Sequence, residues 1–546
     1  MANTQGAFMN VSNNIISVPA PEFPFKDGVG TTLFEKMQKI PSKTAQIDAL
    51  TGEVDTYQSY LQRCVRTAIV MRKKGIRQND GVVVCSDHHL NTSVPMIASY
   101  FLGAKLSNTD PQFTLKDTVH LLGQVLPKMV FVNLGSVKLI ENATKQINIS
   151  PEIVVFGTTE KHTPFSQFLA ESLEELEFQP VTVRNLKETA VVYFSSGSTG
   201  LPKGICLSHL ALLSVCRNLK KPLNFVILST SPAYWTTYTT LFLTAIMSNS
   251  CRLILPVFDI VTFWKTVEQY KVNFLLISRA QIALSLEHND LNDHDLSSIK
   301  VVILGGVTIP EQQLVKFRSY ITNGSVFCVY GLTEFACGGL GFDSSNQDHV
   351  RLAIQNPKSC GLPMSGFTYK VVDEETGKAL GPNQFGELRI RTEYQMNGYH
   401  NMDASDQWDS DGFLKTGDIV CYDEDYCFYV TDRIKEIFKY RGWQISPFKI
   451  ELVLLSHPAV ENAIAIGVPH LVDYERPAAL VVLRQNYVGK VSECEIVDYV
   501  DNNVFDSHRL RGGIIFVKKL LVTSNGKFQR RYMRELVLSN RIQELQ

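Results

Sequence analysis

The sequence predicts an α/β protein: a large N-terminal domain of parallel-rich sheets flanked by helices, a small β-barrel-like part, and a small α+β C-terminal domain. Three observations predict it. Short apolar runs bounded by turn formers alternate with longer helical stretches over the first three quarters; the texture becomes alternating and turn-rich near residue 365; a compact βα pattern resumes after Asp432. With 546 residues, 45% hydrophobic and 20% charged, the chain exceeds what one core serves and has the composition of a folded enzyme.

The runs are, in order, "GVVVCS", "KMVFVN", "EIVVFG", "FVILST", "RLILP", "NFLLIS", "KVVILGG" and "VFCVYG". Each reads as a strand buried on both faces. Between them, "YQSYLQRCVRTAIVMRKKG" sets Leu61, Val65, Ala68 and Met71 on one helical face, and this alternation predicts parallel sheets covered by helices. "TYKVVDEETGKALGPNQFGELRIR" and "YCFYVTDRIKEIF" then read as hairpins and antiparallel strands. "KIELVLLSHPAVENAIAIGV" belongs to the small last domain, with the boundary at 431–436 and hence domains of 1–431 and 432–546.

Lys plus Arg number 53 against 54 Asp plus Glu, so no overall field attracts a nucleic acid and phosphate chemistry must come from a local site. The 11 cysteines are odd in number and form no C-x-x-C pair, which argues against a disulfide framework or zinc site and for a reducing compartment. No stretch of 18 apolar residues predicts a membrane span. The start "MANTQGAFMNVSNNIISVPAPEFPF" lacks the basic and apolar regions of a signal peptide, and "ELQ" is not a Ser-Lys-Leu address. The expectation is a cytoplasmic protein, or a peroxisomal one imported with a partner.

"SSGSTGLPKG", after the apolar "AVVYF", is the first candidate site. The backbone N–H groups and hydroxyls of Ser195, Ser196, Gly197, Ser198, Thr199 and Gly200 suit a nest for phosphate oxygens, and Lys203 adds a point charge. A strand before it and the helical "SHLALLSVCRNL" after it put the loop at the carboxyl end of a sheet. Several nucleotide folds use such loops. It is not a Walker loop, because Leu201 and Pro202 separate Gly200 from Lys203. Nor is it a nucleophile elbow, because Ser196 stands two before Ser198. His88 and His89 are adjacent and so point to different faces; they read as loop residues rather than metal ligands.

From "TYQSYLQRCVRTAIVMRKKGI" through "GAKLSNTDPQFT" to "SNGKFQRR", the chain resembles the adenylate-forming superfamily: acyl-CoA synthetases, coumarate-CoA ligases, and insect luciferases with their non-luminous relatives. The resemblance implies that "SSGSTGLPKG" holds the phosphates of ATP and that "VVILGGVTIP" borders the adenine pocket, where Gly305 and Gly306 admit a flat ring. In "VYGLTE", Tyr330 with Gly331 would face adenine, Thr333 the α-phosphate, and Glu334 a magnesium ion, which favours hard oxygen ligands. "LKTGDI" would set Asp418 on the ribose hydroxyls. "TDRIKEIFKYRGWQISP" looks like a hinge joining the domains: Arg433 on ribose or phosphate, Lys435 the pivot, Gly442 and Trp443 lining a thiol tunnel. A solvated linker is the other reading of those charges. Lys527 in "SNGKFQRR" matches the adenylation lysine.

What the resemblance implies in function is an acid-thiol ligase, monomeric, using ATP, Mg2+ and CoA on a medium- or long-chain fatty acid. The C-terminal domain would rotate about Lys435 between adenylation and thioester formation, withdrawing Lys527. One departure stands out. Where beetle luciferases carry a His-His-Gly-Phe stretch, this chain has "SPAYWTTYTT", with Ala233, Tyr234, Trp235 and Thr236. ATP chemistry is untouched by it, whereas the identity of the acid and any luciferin oxidation are left open. Two other functions therefore compete: a luciferase-like monooxygenase, and a degenerate nucleotide or lipid binder, against which Lys527, Glu334 and Asp418 speak.

Overall fold

The structure is a computed structural model that describes residues 9–195, 202–217, 219, 222–288, 290–305, 309–433, 436–441, 443–522 and 528–545. Its contacts define two compact units, the first chiefly Ser17–Thr368 and Arg391–Gly412, the second Val11–Ile16, Tyr369–Ile390 and the chain from Phe413 onward.

The first unit carries two seven-stranded sheets among the described residues. One runs in the order Lys203–Ser208, Thr189–Ser195, Lys105–Thr109, Gly81–Cys85, Met129–Asn133, Glu152–Phe156 and Thr163–Pro164, parallel except at the Lys203–Ser208 edge. The other runs Ser325–Cys328, Val301–Leu304, Phe274–Ile277, Val226–Ser229, Cys251–Ile254, Thr44–Asp48 and Val54–Thr56, antiparallel only at its last pair. All eight apolar runs are strands here. Phe263, Trp264 and Val267 of helix Ile260–Gln269 and Leu314 and Phe317 of helix Glu311–Tyr320 cover the second sheet in one buried core.

Two elements differ in detail from the sequence reading. Strand Lys105–Thr109, "KLSNT", lacks an apolar run, yet Ser107, Asn108 and Thr109 are buried between strands on both sides, and Ser107 Oγ donates to the Val192 carbonyl at 2.8 Å. Helix Tyr57–Lys73, capped by Thr56 accepting from the Ser59 N–H, buries Tyr57, Tyr60, Cys64, Val65, Ala68 and Met71, leaving Leu61 half-buried at the edge of that face.

The second unit holds a six-stranded sheet, whose strands Gly386–Thr392, Leu414–Tyr422 and Phe428–Arg433 pair antiparallel, and a five-stranded sheet. The latter orders Trp443–Ile445, Phe438–Tyr440, Tyr474–Leu483 and Val460–His470, with Ile514–Phe516 alongside Tyr474–Leu483. Apolar side chains pack on both of its faces, Ile450, Leu454 and Ile496 on one and Met533, Leu536 and Leu545 on the other. The contacts group residues 369–390 and 413–433 with the chain that follows. Leu414–Tyr422 and Phe428–Arg433 pair antiparallel as far as Asp418 and Arg433, with an irregularity between Ile419 and Val420. Among the described residues no helix is long and apolar enough to cross a membrane.

Candidate active site

Strand Thr189–Ser195 runs parallel to Lys105–Thr109 and ends at Ser195, the first residue of the glycine-rich string. It does not lead straight into a helix, however. Lys203–Ser208 returns antiparallel, with Ser195 opposite Lys203, and helix His209–Ser214 begins only afterwards. The alternation of "KGICLS" suits an edge strand, and the outer edge is taken by residues 397–400. Cys206 N donates to Gly398 O at 3.1 Å, Asn397 N to Cys206 O at 2.9 Å and His400 N to Gly204 O at 2.6 Å. Ser196, Gly197, Ser198, Thr199 and Gly200 lie outside the described residues, as does the side chain of Ser195.

That edge pairing introduces a residue the sequence reading missed. Tyr399 places its ring centroid 5.0 Å from Lys203 Nζ, and its hydroxyl donates to Glu334 Oε1 at 3.3 Å. The main chain reinforces the contact, because Met396 N donates to the Glu334 carbonyl at 2.7 Å. Burial first, and then the Glu334 carboxylate, hold the Tyr399 phenol well above its usual range. It therefore stays protonated and acts as a donor, with a cation on one side and a carboxylate on the other. No local string signals this: Tyr399 lies 65 residues from Glu334 along the chain.

The "YGLTE" stretch is a tight hairpin. Tyr330–Gly331 pairs with Gly339–Gly341, Tyr330 opposite Leu340 and Gly331 opposite Gly339. Between them Thr333–Phe335 forms a single 3-10 turn, ending on Ala336 and Cys337 at φ 50° and 67°. Two successive non-glycine residues in the left-handed region store strain, a recurrent feature of functional sites. Thr333 Oγ1 lies 3.4 Å from Thr236 Oγ1. Thr236 begins helix Thr236–Met247 directly after Trp235, so "SPAYWTT" and "YGLTE" meet. The buried Trp235 Nε1 and Thr237 Oγ1 find no hydrogen-bond partner among the described residues. Tyr234 turns the other way, its hydroxyl donating to Phe194 O at 2.7 Å. Gly305 follows strand Val301–Leu304; a Cβ there would touch Val329 at only 3.4 Å, so the protein's own packing does not demand glycine. Gly306 is outside the described residues.

His88 and His89 lie in the loop after Gly81–Cys85, as read. His88 is buried beside Tyr238, ring centroids 5.0 Å apart, and lines a cavity of about 20 Å³ with Arg252 and Ser229. Burial pushes its imidazole down to about 4, with the Arg252 charge adding to the effect.

In the second unit, Asp418 is buried and faces Arg433 across the ladder, Arg433 Nε lying 3.0 Å from Asp418 Oδ1. Lys435, Gly442 and Lys527 are outside the described residues, and so is the Trp443 side chain. Their neighbours are nonetheless tied together: Arg530 Nε lies 3.2 Å from Glu436 Oε2, and the same guanidinium pairs with buried Glu451 and donates to Ala465 O at 2.8 Å.

The family model for AMP-binding enzymes matches residues 33–400, and that for the C-terminal domain of AMP-binding enzymes matches 449–527. The chain thus belongs to the AMP-binding enzymes, within the adenylate-forming superfamily. Luciferin 4-monooxygenase of Photinus pyralis is 30% identical over 97% of this chain and 98% of its own. A probable 4-coumarate-CoA ligase of Dictyostelium discoideum is 28% identical over 94% of this chain and 95% of its own. Among solved structures, the luciferase-like enzyme from the nonluminescent Zophobas morio mealworm is 34% identical, covering 77% of this chain and 98% of that one at a TM-score of 0.72. ATP-bound MatB from Rhodopseudomonas palustris, 21% identical, shares the fold over 93% of this chain and 99% of its own at a TM-score of 0.83.

Proposed function

We propose that the protein is an ATP-dependent acid-thiol ligase that makes an acyl-adenylate and then an acyl-CoA thioester. The observation that carries this reading is the contact of Lys203 with the Tyr399 ring and of the Tyr399 hydroxyl with Glu334, which groups a cation, a phenol donor and a carboxylate. The acid's carboxylate forms a bond to the α-phosphorus of ATP while the bond to the β-phosphate breaks and pyrophosphate leaves. Both partners are anionic, so the step requires cations and donors aimed at the transition state. Lys203, the hydroxyls of Ser195, Ser196, Ser198 and Thr199, the amides of Gly197 and Gly200, Thr333 and Lys527 supply them. Glu334 fits a magnesium ion, since Mg2+ is usually held by one or two carboxylates together with substrate phosphates and draws off negative charge when bound. Tyr330, Gly331, Gly305 and Gly306 take the adenine, and Asp418 and Arg433 the ribose.

In the second half-reaction the CoA sulfur bonds to the acyl carbon and AMP departs. We assign this step to a rotation of residues 432–546 about Lys435, which removes Lys527 and brings in Gly442. Supporting that division, the two family models leave 401–448 between them. For the acid we propose a medium- or long-chain fatty acid, handled by a monomer in the cytoplasm or peroxisome; the partly buried Trp235 ring offers it an apolar wall. A luciferase-like oxygenation of an adenylated luciferin is the second reading, favoured by the Photinus relative and opposed by the absence of histidine from 233–236. A panel of carboxylic acids, assayed for pyrophosphate release and then for CoA thioester, tests both. Thioester formation supports the ligase; light from luciferin without thioester supports the oxygenase; ATP binding without either product refutes both.

A further inference from the structure

The hairpin of Val460–His470 and Tyr474–Leu483 closes through Leu471, Val472 and Asp473, with His470 paired to Tyr474. Leu471 is 100% exposed, Val472 75% and Tyr474 68%. A turn in water is ordinarily built from Gly, Asn, Asp and Ser, so two branched aliphatics at its point call for a reason. They are not loose. The Asp473 carboxylate is buried and accepts from Arg441 Nε at 2.6 Å and Arg476 Nε at 2.7 Å. The N–H groups of Val472 and Asp473 donate to His470 Nδ1 at 3.3 and 3.2 Å. These bonds hold the turn in one shape, with the aliphatics outward.

The surroundings are basic and apolar together. Tyr440 pairs with Tyr474, and the guanidinium groups of Arg441 and Arg511 lie 5.3 and 5.2 Å from the Tyr440 ring. Arg511 and Arg509 both reach Asp506, which follows Phe505, itself 81% exposed. This end of the second unit therefore presents Leu471, Val472, Tyr474 and Phe505 among Arg441, Arg476, Arg509 and Arg511. Asp473 and Asp506 are each shared by two arginines and Glu475 pairs with Arg534, so these arginines leave a positive balance.

We propose that it docks on an anionic lipid bilayer, the aliphatic point entering the boundary between headgroups and acyl chains and the arginines facing lipid phosphates. A narrow convex turn cannot supply the ~800 Å² per partner of a stable protein interface. It suits a fluid layer that closes around it, and the arginines are complementary to a negative leaflet. The proposal goes beyond the ligase reading and does not depend on it.

Flotation of the full chain with vesicles, without ATP or acid, is the test. The protein should float with mixed phosphatidylcholine and phosphatidylserine vesicles, less so at high salt, and only weakly with phosphatidylcholine alone. Leu471→Ser with Val472→Ser should lower the partition onto mixed vesicles about tenfold or more. Arg509→Gln should lower it about fivefold, while thermal melts stay unchanged. Failure to float, or equal flotation of the double variant, overturns the proposal. So does a dimer in light scattering that the double variant abolishes, for the point would then serve a second copy of the chain.

Discussion

Replacing Gly331 by alanine tests whether the hairpin geometry positions the candidate site. A Cβ at Gly331 would stand 2.4 Å from the Cys337 carbonyl oxygen and 2.8 Å from its carbon, where ordinary contact begins at 3.4 Å. The shortfall is about 1 Å, and the obstacle is main chain, which cannot rotate aside as a side chain could. Gly339 opposite is equally confined, its Cβ position lying 2.5 Å from Tyr330 O, so the strands must part. Thr333 and Glu334 follow within three residues and move with them. Overpacking of this kind costs roughly 1–3 kcal/mol of stability, and misplacing a positioning group by about 1 Å costs ~10² in rate. Pyrophosphate release should therefore fall ~100-fold in kcat/KM, with a lower Tm. Gly135→Ala is the control, since a Cβ there meets nothing within 4 Å and its φ is not positive. Gly331→Ala with the kcat/KM and Tm of the unaltered protein would refute the reasoning.

Three further outcomes are expected. Tyr399→Phe removes the hydrogen bond to Glu334, and because a bond to a charged group is worth about 1.5 kcal/mol at the low end, kcat/KM should drop roughly tenfold and the Mg2+ requirement rise; an unchanged Mg2+ titration would count against the positioning role. Lys527→Ala should abolish acyl-adenylate formation yet allow thioester formation from supplied acyl-AMP, and equal loss of both steps would sink the rotation account. Burial pushes His88, His89 and His209 from 6.5 down to about 4. The unfolded chain thus binds protons that the folded one refuses, and stability falls as pH drops through 6.5 to 4, by on the order of 3 kcal/mol per imidazole, then levels off. His209 Nδ1 accepts from Val29 N at 3.2 Å, which requires the neutral ring. Melts of His209→Gln should show a shallower slope over that window, and parallel slopes would remove His209 from the account.

Much of this protein is legible along the chain because its physics is local. A strand buried on both faces is commonly apolar throughout, so "KVVILGG" and "NFLLIS" announce themselves. A phosphate nest needs bare backbone, which "SSGSTGLPKG" offers within one short string. Glu334 and Asp418 sit in "VYGLTE" and "LKTGDI", short strings that the resemblance to the adenylate-forming superfamily already marked.

Other features exist only through pairing across the fold. "KLSNT" is a central strand because its neighbours on both sides satisfy its backbone and cover its hydroxyls, a condition no window of sequence contains. Lys203 heads a strand instead of a helix approach because residues 397–400 take its outer edge, and the same contact delivers Tyr399 to Glu334. The Arg530 pairs with Glu436 and Glu451 likewise join positions 94 and 79 residues apart. By itself the sequence determined the fold class and the apolar strands, since each follows from residues close together in the chain, and its resemblance to a known family marked the candidate nucleotide-binding residues. Only the tertiary structure decided the edge partners, the strained turn and the phenol beside the carboxylate, because hydrogen-bond ladders and buried charge pairs are set by which distant segments meet.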